Sequence, residues 1–114
     1  MKYPIKTDIK NDVKIFYIEW ELDESSSDDI FESVYNEILE ENTSKNILNF
    51  EWVKYLNSRS IWNMLYLFSR VEKRDKELYI SSCQENVKDI LEIVGITSII
   101  KVVDSEEEAI EKLS

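Results

Sequence analysis

Residues 57–60, Asn-Ser-Arg-Ser, combine the side chains of this chain best suited to regulated chemistry: an amide, two hydroxyls and a guanidinium. They follow an apolar-rich run at 47–52 and precede apolar residues at helical spacing, so they are expected at the start of a helix. Backbone N–H groups in a first helical turn lack intrahelical partners and lie at the positive end of the helix dipole. A serine placed there can cap the helix or carry a phosphate. This strand-to-helix corner, residues 57–60, is therefore predicted to be an exposed site of binding or modification.

Each residue of the corner has a structural interpretation beside a functional one. Ser58 is a candidate phosphate acceptor, because a dianion there would gain the helix dipole and the neighbouring Arg59, but capping of the helix is the favoured interpretation. Ser60 is a second candidate acceptor, or fills a first-turn position. Asn57 is a common turn and cap residue, so a structural role is favoured. Arg59 adds a permanent cation with five donors, which would favour an acidic or phosphorylated group on a partner.

Aromatic residues follow the corner on the predicted helix. Trp62 and Tyr66 are four residues apart, and Trp62 is offset from the apolar stripe formed by its neighbours. They could form an aromatic patch of the kind that often anchors an interface. The sequence gives equal weight to the alternative, in which both rings pack under a neighbouring element. Trp20 and Trp52 are predicted to lie in the core or at its rim.

The composition excludes much enzyme chemistry. There is no histidine and Cys83 is the only cysteine, which excludes an internal disulfide, a zinc cluster and any triad that needs an imidazole. Cys83 itself is predicted to behave as a small buried hydrophobe. The acidic runs at 40–41 and 106–108 lack the spacing of a calcium loop, and the single glycine, Gly95, excludes a glycine-rich phosphate loop. We therefore expect no catalysis, no metal and no cofactor.

The charge balance restricts the partners. Fourteen basic and 24 acidic side chains give a net charge of −10, which repels nucleic acid and anionic membranes. No run approaches the roughly 20 apolar residues of a membrane span, and the first residues have no apolar signal core behind them. The 114 residues, 43% of them hydrophobic, suit one domain over 1–114. The sequence thus predicts a cytoplasmic single-domain protein, and leaves open whether two copies form a homodimer.

Periodicity predicts strands that alternate with helices. Asn11 and Asp12 indicate a hairpin turn, and the strand that follows carries apolar groups on both faces, as a central strand does. Gly95 directly follows an apolar helical stripe and is predicted to end that helix. The predicted strands are 4–10, 13–22, 47–52, 78–80 and 99–103, and the predicted helices begin near 25–29, 58–61, 82–85 and 105–108. The order β-β-α-β-α-β-α-β-α implies a mostly parallel five-stranded sheet with an antiparallel first strand and about four helices.

Two of these helices have a predicted capping box at their start. Ser82 is followed three residues later by Glu85, and Ser105 is followed three residues later by Glu108. In this motif the serine accepts a bond from the third helical N–H.

This element order, together with the corner and the helix-glycine-strand segment 89–100, resembles the STAS domain, the family of bacterial anti-sigma factor antagonists with the SpoIIAA-like α/β fold. The resemblance covers nearly the whole chain and is most specific at 47–65 and 87–113. It implies a small, non-catalytic signalling protein that controls transcription. Members similar to this chain bind a partner that is both a serine kinase and an anti-sigma factor. Phosphorylation of a serine in the corner weakens that complex, and a phosphatase restores it.

The chain departs from the family pattern at the corner. The family usually has Asp-Ser-Ser-Gly, with the second serine as phosphate acceptor, and Asn57, Ser58, Arg59 and Ser60 stand at those four positions. Arg59 therefore occupies the acceptor position, so only Ser58 or Ser60 could take its place. The partner-binding residues implied by this resemblance and the aromatic pattern are Asn57, Ser58, Arg59, Ser60, Trp62 and Tyr66.

Two other functions remain compatible with the sequence. The first is a constitutive, non-phosphorylated adaptor or assembly subunit, in which Arg59 and Trp62 form a permanent interface. The second is a sensor for a small ligand such as a nucleotide, which the shortage of glycine disfavours.

Overall fold

A computed structural model describes residues 3–114, with five strands and four α-helices in the predicted order. Met1 and Lys2 of the predicted domain lie outside the described residues. The strands are β1 (Lys6–Lys10), β2 (Val13–Tyr17), β3 (Lys45–Asn49), β4 (Glu77–Ser81) and β5 (Val102–Val103). The helices are α1 (Ser27–Glu41), α2 (Ser58–Glu72), α3 (Glu85–Ile93) and α4 (Glu106–Leu113), and a 3-10 turn (Ile96–Ser98) precedes β5.

The strands form one sheet in the order β1-β2-β3-β4-β5. β1 is antiparallel to β2, and every other neighbouring pair is parallel. The hairpin between β1 and β2 turns at Asn11 and Asp12, whose φ angles are 52° and 64°. Asn and Asp tolerate this left-handed backbone better than most residues, so the turn follows from local chemistry. The predicted mixed five-stranded sheet is confirmed.

Helices cover both faces of the sheet. Phe16 of β2 and Leu48 of β3 point into the larger core, which α1, α2 and α3 cover. Ile15 of β2 and Ile47 of β3 point to the opposite face, where Ala109 of α4 packs. Successive residues of a strand alternate between faces, so a strand covered on both sides reads as a continuous apolar run. This confirms the prediction for β2.

Several predicted boundaries are wrong, mostly because apolar residues continue past the strands. β2 ends at Tyr17 and β5 spans only Val102–Val103, while buried residues such as Ile18 and Ile100 fill the core from outside the ladder. Trp52 lies in the turn after β3, and it and Trp20 are both exposed, contrary to the prediction that they lie in the core or at its rim.

Of the helix ends predicted at Gly95, Ser105 and Ser82, the first two are confirmed and the third is wrong. Gly95 has a φ of 86° and ends α3, as predicted. Ser105 accepts a hydrogen bond of 3.1 Å from the N–H of Glu108, which confirms the cap of α4. The capping box at Ser82 is wrong: Ser82 has a left-handed φ of 65°, and Gln84 precedes α3 without a side-chain cap bond.

A partly buried carboxylate ties α4 to the sheet. Glu106, in the first turn of α4, accepts bonds from the side-chain amide of Asn49 at 3.0 Å and from the ammonium of Lys10 at 2.7 Å. Burial would raise the pKa of Glu106, but the hydrogen bonds from Lys10, Asn49 and Tyr17 outweigh it and hold the pKa below its ordinary value. The carboxylate of Glu106 therefore joins β1, β3 and α4.

Candidate functional site

The corner lies at the start of α2, as predicted, but Asn57 caps the helix instead of Ser58. The side-chain oxygen of Asn57 accepts the N–H of Ser60 at 2.8 Å, and Asn57 has the extended backbone of an N-cap. Ser58 is the first helical residue and is exposed. Its hydroxyl is therefore accessible at the positive end of the helix dipole.

Ser60 is not exposed, contrary to the prediction for the corner. Its side chain is fully buried, and its hydroxyl donates to the backbone carbonyl of Leu22 at 3.1 Å. Leu22 lies in the segment between β2 and α1, so this bond fixes the start of α2 against that segment. The burial removes Ser60 from the accessible phosphate acceptors and from the partner-facing surface.

Arg59 has a counterion within the chain. Its Nε and Nη2 atoms donate to the two carboxylate oxygens of Asp28, at 2.8 and 2.5 Å. Asp28 stands in the first turn of α1, where a carboxylate also complements the helix dipole. The bonds from Arg59, and then from Asn63, lower the pKa of Asp28. The corner is consequently less cationic than the sequence indicates.

Asn63 extends this pair into a buried network. Its Nδ2 atom donates to Oγ of Ser27 and to Oδ1 of Asp28, both at 2.8 Å. Asn63 and Ser27 are both buried. Because a buried amide without partners is costly, these bonds favour one relative position of the two helix starts.

An aromatic patch continues from the corner along α2. The rings of Trp62 and Tyr66 are parallel within 3° with centroids 6.3 Å apart, and the two residues are 61% and 50% exposed. The guanidinium of Arg70 lies 4.8 Å from the Tyr66 ring and 3.5 Å from the Tyr35 ring. Of the two interpretations of Trp62 and Tyr66, the structure therefore places both rings on the surface.

Arg70 is held in place by α1. Its guanidinium donates to both carboxylate oxygens of Glu32, at 2.8 and 3.2 Å, and these bonds lower the pKa of Glu32. Two Arg-carboxylate pairs, Arg59 with Asp28 and Arg70 with Glu32, thus border a shallow groove of about 260 Å³ between α1 and α2. Trp62 and Tyr66 also line this α1/α2 groove.

Sequence reasoning missed Asp28, Glu32, Asn63 and Arg70. The carboxylates are separated from their arginines by 31 and 38 residues, so no local spacing connects them. The only available signal was the occurrence of acids on α1 and arginines on α2, which surface helices commonly share.

Three further observations concern the thiol, the acidic side chains and the helices of the described chain. Burial raises the pKa of Cys83 to about 12, which suits the predicted small hydrophobe better than a nucleophile. Within residues 3–114, no three His, Cys, Asp or Glu side chains are grouped so as to hold a metal ion. Across the same residues, none of the helices has both the length and the apolarity needed to cross a bilayer.

Comparison with known proteins identifies this class of fold. An anti-sigma factor antagonist from Mycobacterium paratuberculosis superimposes with a TM-score of 0.84 at 8% identity, over 96% of this chain and 92% of that one. A Thermotoga maritima protein described as a candidate anti-sigma factor antagonist gives 0.88 at 22% identity, over 96% and 93%. The Bacillus cell fate determinant SpoIIAA in its phosphorylated form gives 0.70 at 16% identity, over 97% and 100%. At these identities, the likeness shows the fold alone.

A match of the sequence to a family profile identifies the family. The STAS domain profile matches residues 4–109, which is most of the chain. The chain belongs to the STAS domain family, as its corner, glycine-terminated helix and element order indicated.

Proposed function

We propose that this chain is a non-catalytic regulatory protein that binds another protein through the corner and the exposed face of α2. The observation that supports this most is the exposed Trp62–Tyr66 stack, which begins about one helical turn after the exposed Ser58. Large exposed aromatic rings are common anchors of interfaces, and the guanidinium of Arg70, which is paired with Glu32, packs against the Tyr66 ring. Similar proteins are anti-sigma factor antagonists, so the proposed partner is an anti-sigma factor with serine kinase activity, or a related regulator.

Ser58 is the proposed phosphorylation site. A phosphate at the first position of α2 would gain the helix dipole and would compete with Asp28 for Arg59. The Bacillus cell fate determinant SpoIIAA, which has this fold, has been solved in a phosphorylated form, so a protein of this fold can carry a phosphate. A dianion would add charge to the binding surface and disturb the Arg59–Asp28 pair, and so would weaken partner binding.

A pull-down from native lysate tests the partner. The full chain is the bait, and the Trp62→Ala variant is the matched bait that keeps the fold but lacks the anchor. We expect a serine kinase or sigma regulator to be recovered by the first bait and depleted with the second. Equal recovery of every such protein with both baits would contradict docking through α2.

Titration of that partner with Ser58 variants tests the switch. Ser58→Asp should weaken binding about tenfold by placing a carboxylate beside the anchor, while Ser58→Ala should leave it unchanged. Equal affinities for the two variants would remove phosphate from the proposed mechanism.

A second candidate is a constitutive adaptor with no phosphate cycle. It is favoured by Arg59, which stands where the family usually has its acceptor serine and is already paired with Asp28. Mass spectrometry of the protein isolated from its own cells separates the two candidates. Phosphate on Ser58 supports the switch, and its absence under all growth conditions supports the adaptor.

A further inference from the structure

A second aromatic surface lies beside the corner, away from the Trp62–Tyr66 stack. A cleft of about 450 Å³ separates the segment after β2 from the segment after β3. Trp20 contributes one wall, and Trp52 and Tyr55 contribute the other. We call this the Trp20/Trp52 cleft.

Trp20 is held in a fixed orientation. Its indole Nε1 donates to the carbonyl of Pro4 at 2.8 Å, and the ring of Tyr3 packs edge-on against it, with centroids 5.3 Å apart. The face of the indole therefore does not have to be ordered when a ligand arrives, which reduces the entropic cost of binding.

The opposite wall is fixed by backbone contacts. The side-chain amide of Gln84 donates to the carbonyl of Glu51 at 3.0 Å, and that of Asn86 donates to the carbonyl of Lys54 at 2.7 Å. These bonds tie the segment that carries Trp52 and Tyr55 to the start of α3. Both walls are thus preorganised, although neither lies in a helix or a strand.

The charges around the cleft favour a cation. Glu19 and Glu21 line it together with one ammonium, that of Lys54, in a chain whose net charge is −10. Indole and phenol rings attract a cation placed over their faces, and carboxylates nearby add to this attraction. The same charges repel a phosphate-bearing ligand such as a nucleotide.

We propose that the Trp20/Trp52 cleft binds an arginine- or lysine-bearing segment of a partner protein. Trp52, Tyr55 and Trp20 are 57%, 48% and 40% exposed, so a small molecule in this open cleft would stay largely in solvent. A protein segment would cover the outer faces of the rings while one basic side chain enters between them. This assignment does not depend on docking through α2, because none of the residues that line the cleft belongs to the corner or to α2.

NMR titration of the full chain with a defined peptide tests the proposal. The probe is an acetylated and amidated peptide of three Arg-Ala repeats, and its matched control has citrulline, the neutral isostere, at each arginine. Saturable shifts of the Trp20 and Trp52 indole signals and of the amides at 19–22 and 52–55 are expected with the arginine peptide alone. Comparable binding of the citrulline peptide would overturn the proposal.

Variants separate the cleft from general attraction to an acidic protein. Trp52→Leu should weaken binding of the arginine peptide about fivefold, because the cation–π contact is lost. The double variant Glu19→Gln with Glu21→Gln should weaken binding by about the same factor, because it removes two carboxylates that line the cleft. The matched control, Glu107→Gln with Glu111→Gln on α4, removes the same charge elsewhere and should change the affinity less than about twofold. Equal weakening by the two charge pairs would overturn the proposal.

A small cation provides the last comparison. N-acetyl-argininamide should bind at least about tenfold more weakly than the peptide, because it covers little of the exposed rings. Equal affinity for the two ligands would indicate that the cleft binds a free small cation and not a protein segment, and would overturn the proposal.

Discussion

Two regions of this molecule use carboxylates to join separate elements, and they differ in exposure. On the α4 face, Glu106 has a side chain only 11% exposed, and it binds Asn49, itself buried. At the corner, Asp28 and Arg59 have side chains 46% and 55% exposed. Water screens the charges of Arg59 and Asp28, whereas the bond between Asn49 and Glu106 is buried. Two carboxylate contacts that both join separate elements therefore differ in their consequences. The buried contact maintains the fold, while the exposed pair can be rearranged by a partner or a modification.

The largest expected effect is on the buried side of this comparison. Glu106→Ala should lower the free energy of unfolding by about 2–3 kcal/mol, because it leaves the buried amide of Asn49 without its acceptor. Urea denaturation measures the loss. Glu107→Ala, at an exposed position in the same helical turn, is the control and should change stability by less than about 0.5 kcal/mol. Equal losses would show that burial of the contact does not set its energy.

Trp62→Ala should separate binding from stability. The exposed ring contributes little to the core, so the free energy of unfolding should change by less than about 1 kcal/mol. Binding to the kinase or sigma regulator should weaken by about 2 kcal/mol, as for an interface anchor. Calorimetry measures the affinity, and Ile93→Ala, which truncates an exposed apolar residue on α3, is the control. A large loss of stability with unchanged affinity would make Trp62 a structural residue.

The cap at the corner gives a smaller effect. Asn57→Ala should lower the free energy of unfolding by about 1 kcal/mol, because the N–H of Ser60 loses its acceptor. Ser58→Ala should change it by less than about 0.5 kcal/mol, since Ser58 follows the cap. Thermal unfolding of both variants checks the assignment. A greater loss of stability for Ser58→Ala than for Asn57→Ala would indicate that Ser58, and not Asn57, caps the helix.

The smallest effect concerns pH at the exposed pair. The pKa of Asp28 is lowered from 3.8 on folding, so its contribution to stability is present above that value and is lost as the pH falls through the lower folded pKa. The melting temperature of Asp28→Asn should therefore lie slightly below that of the parent chain at pH 6, with the gap closing below pH 4. A gap that widens in acid would contradict this sign.

The sequence was informative where the chemistry is local. Asn11 and Asp12 identify their turn through backbone tolerance, and Gly95 identifies the end of α3. The apolar residues 15–18 identify β2 as a strand covered on both faces. Each of these signals lies within a few residues of the structure that it specifies.

The features that sequence reasoning missed depend on tertiary contacts. Ser60 is buried because the segment after β2 crosses the start of α2 and offers the carbonyl of Leu22. Asp28 and Arg59 meet only when α1 and α2 are placed side by side. The capping box at Ser82 failed because its backbone is left-handed, where the motif cannot form. Hydrophobic periodicity contains none of this information.

The partly buried thiol of Cys83 has a practical consequence for work on the corner. Burial raises the pKa of the Cys83 thiol to about 12, which favours the unreactive thiol form at neutral pH, so we expect slow reaction with maleimides. A cysteine introduced by Ser58→Cys would be exposed and far more reactive. The native chain can therefore carry one fluorophore at the start of α2, without removal of its own cysteine, to report in real time on the arrival of a partner.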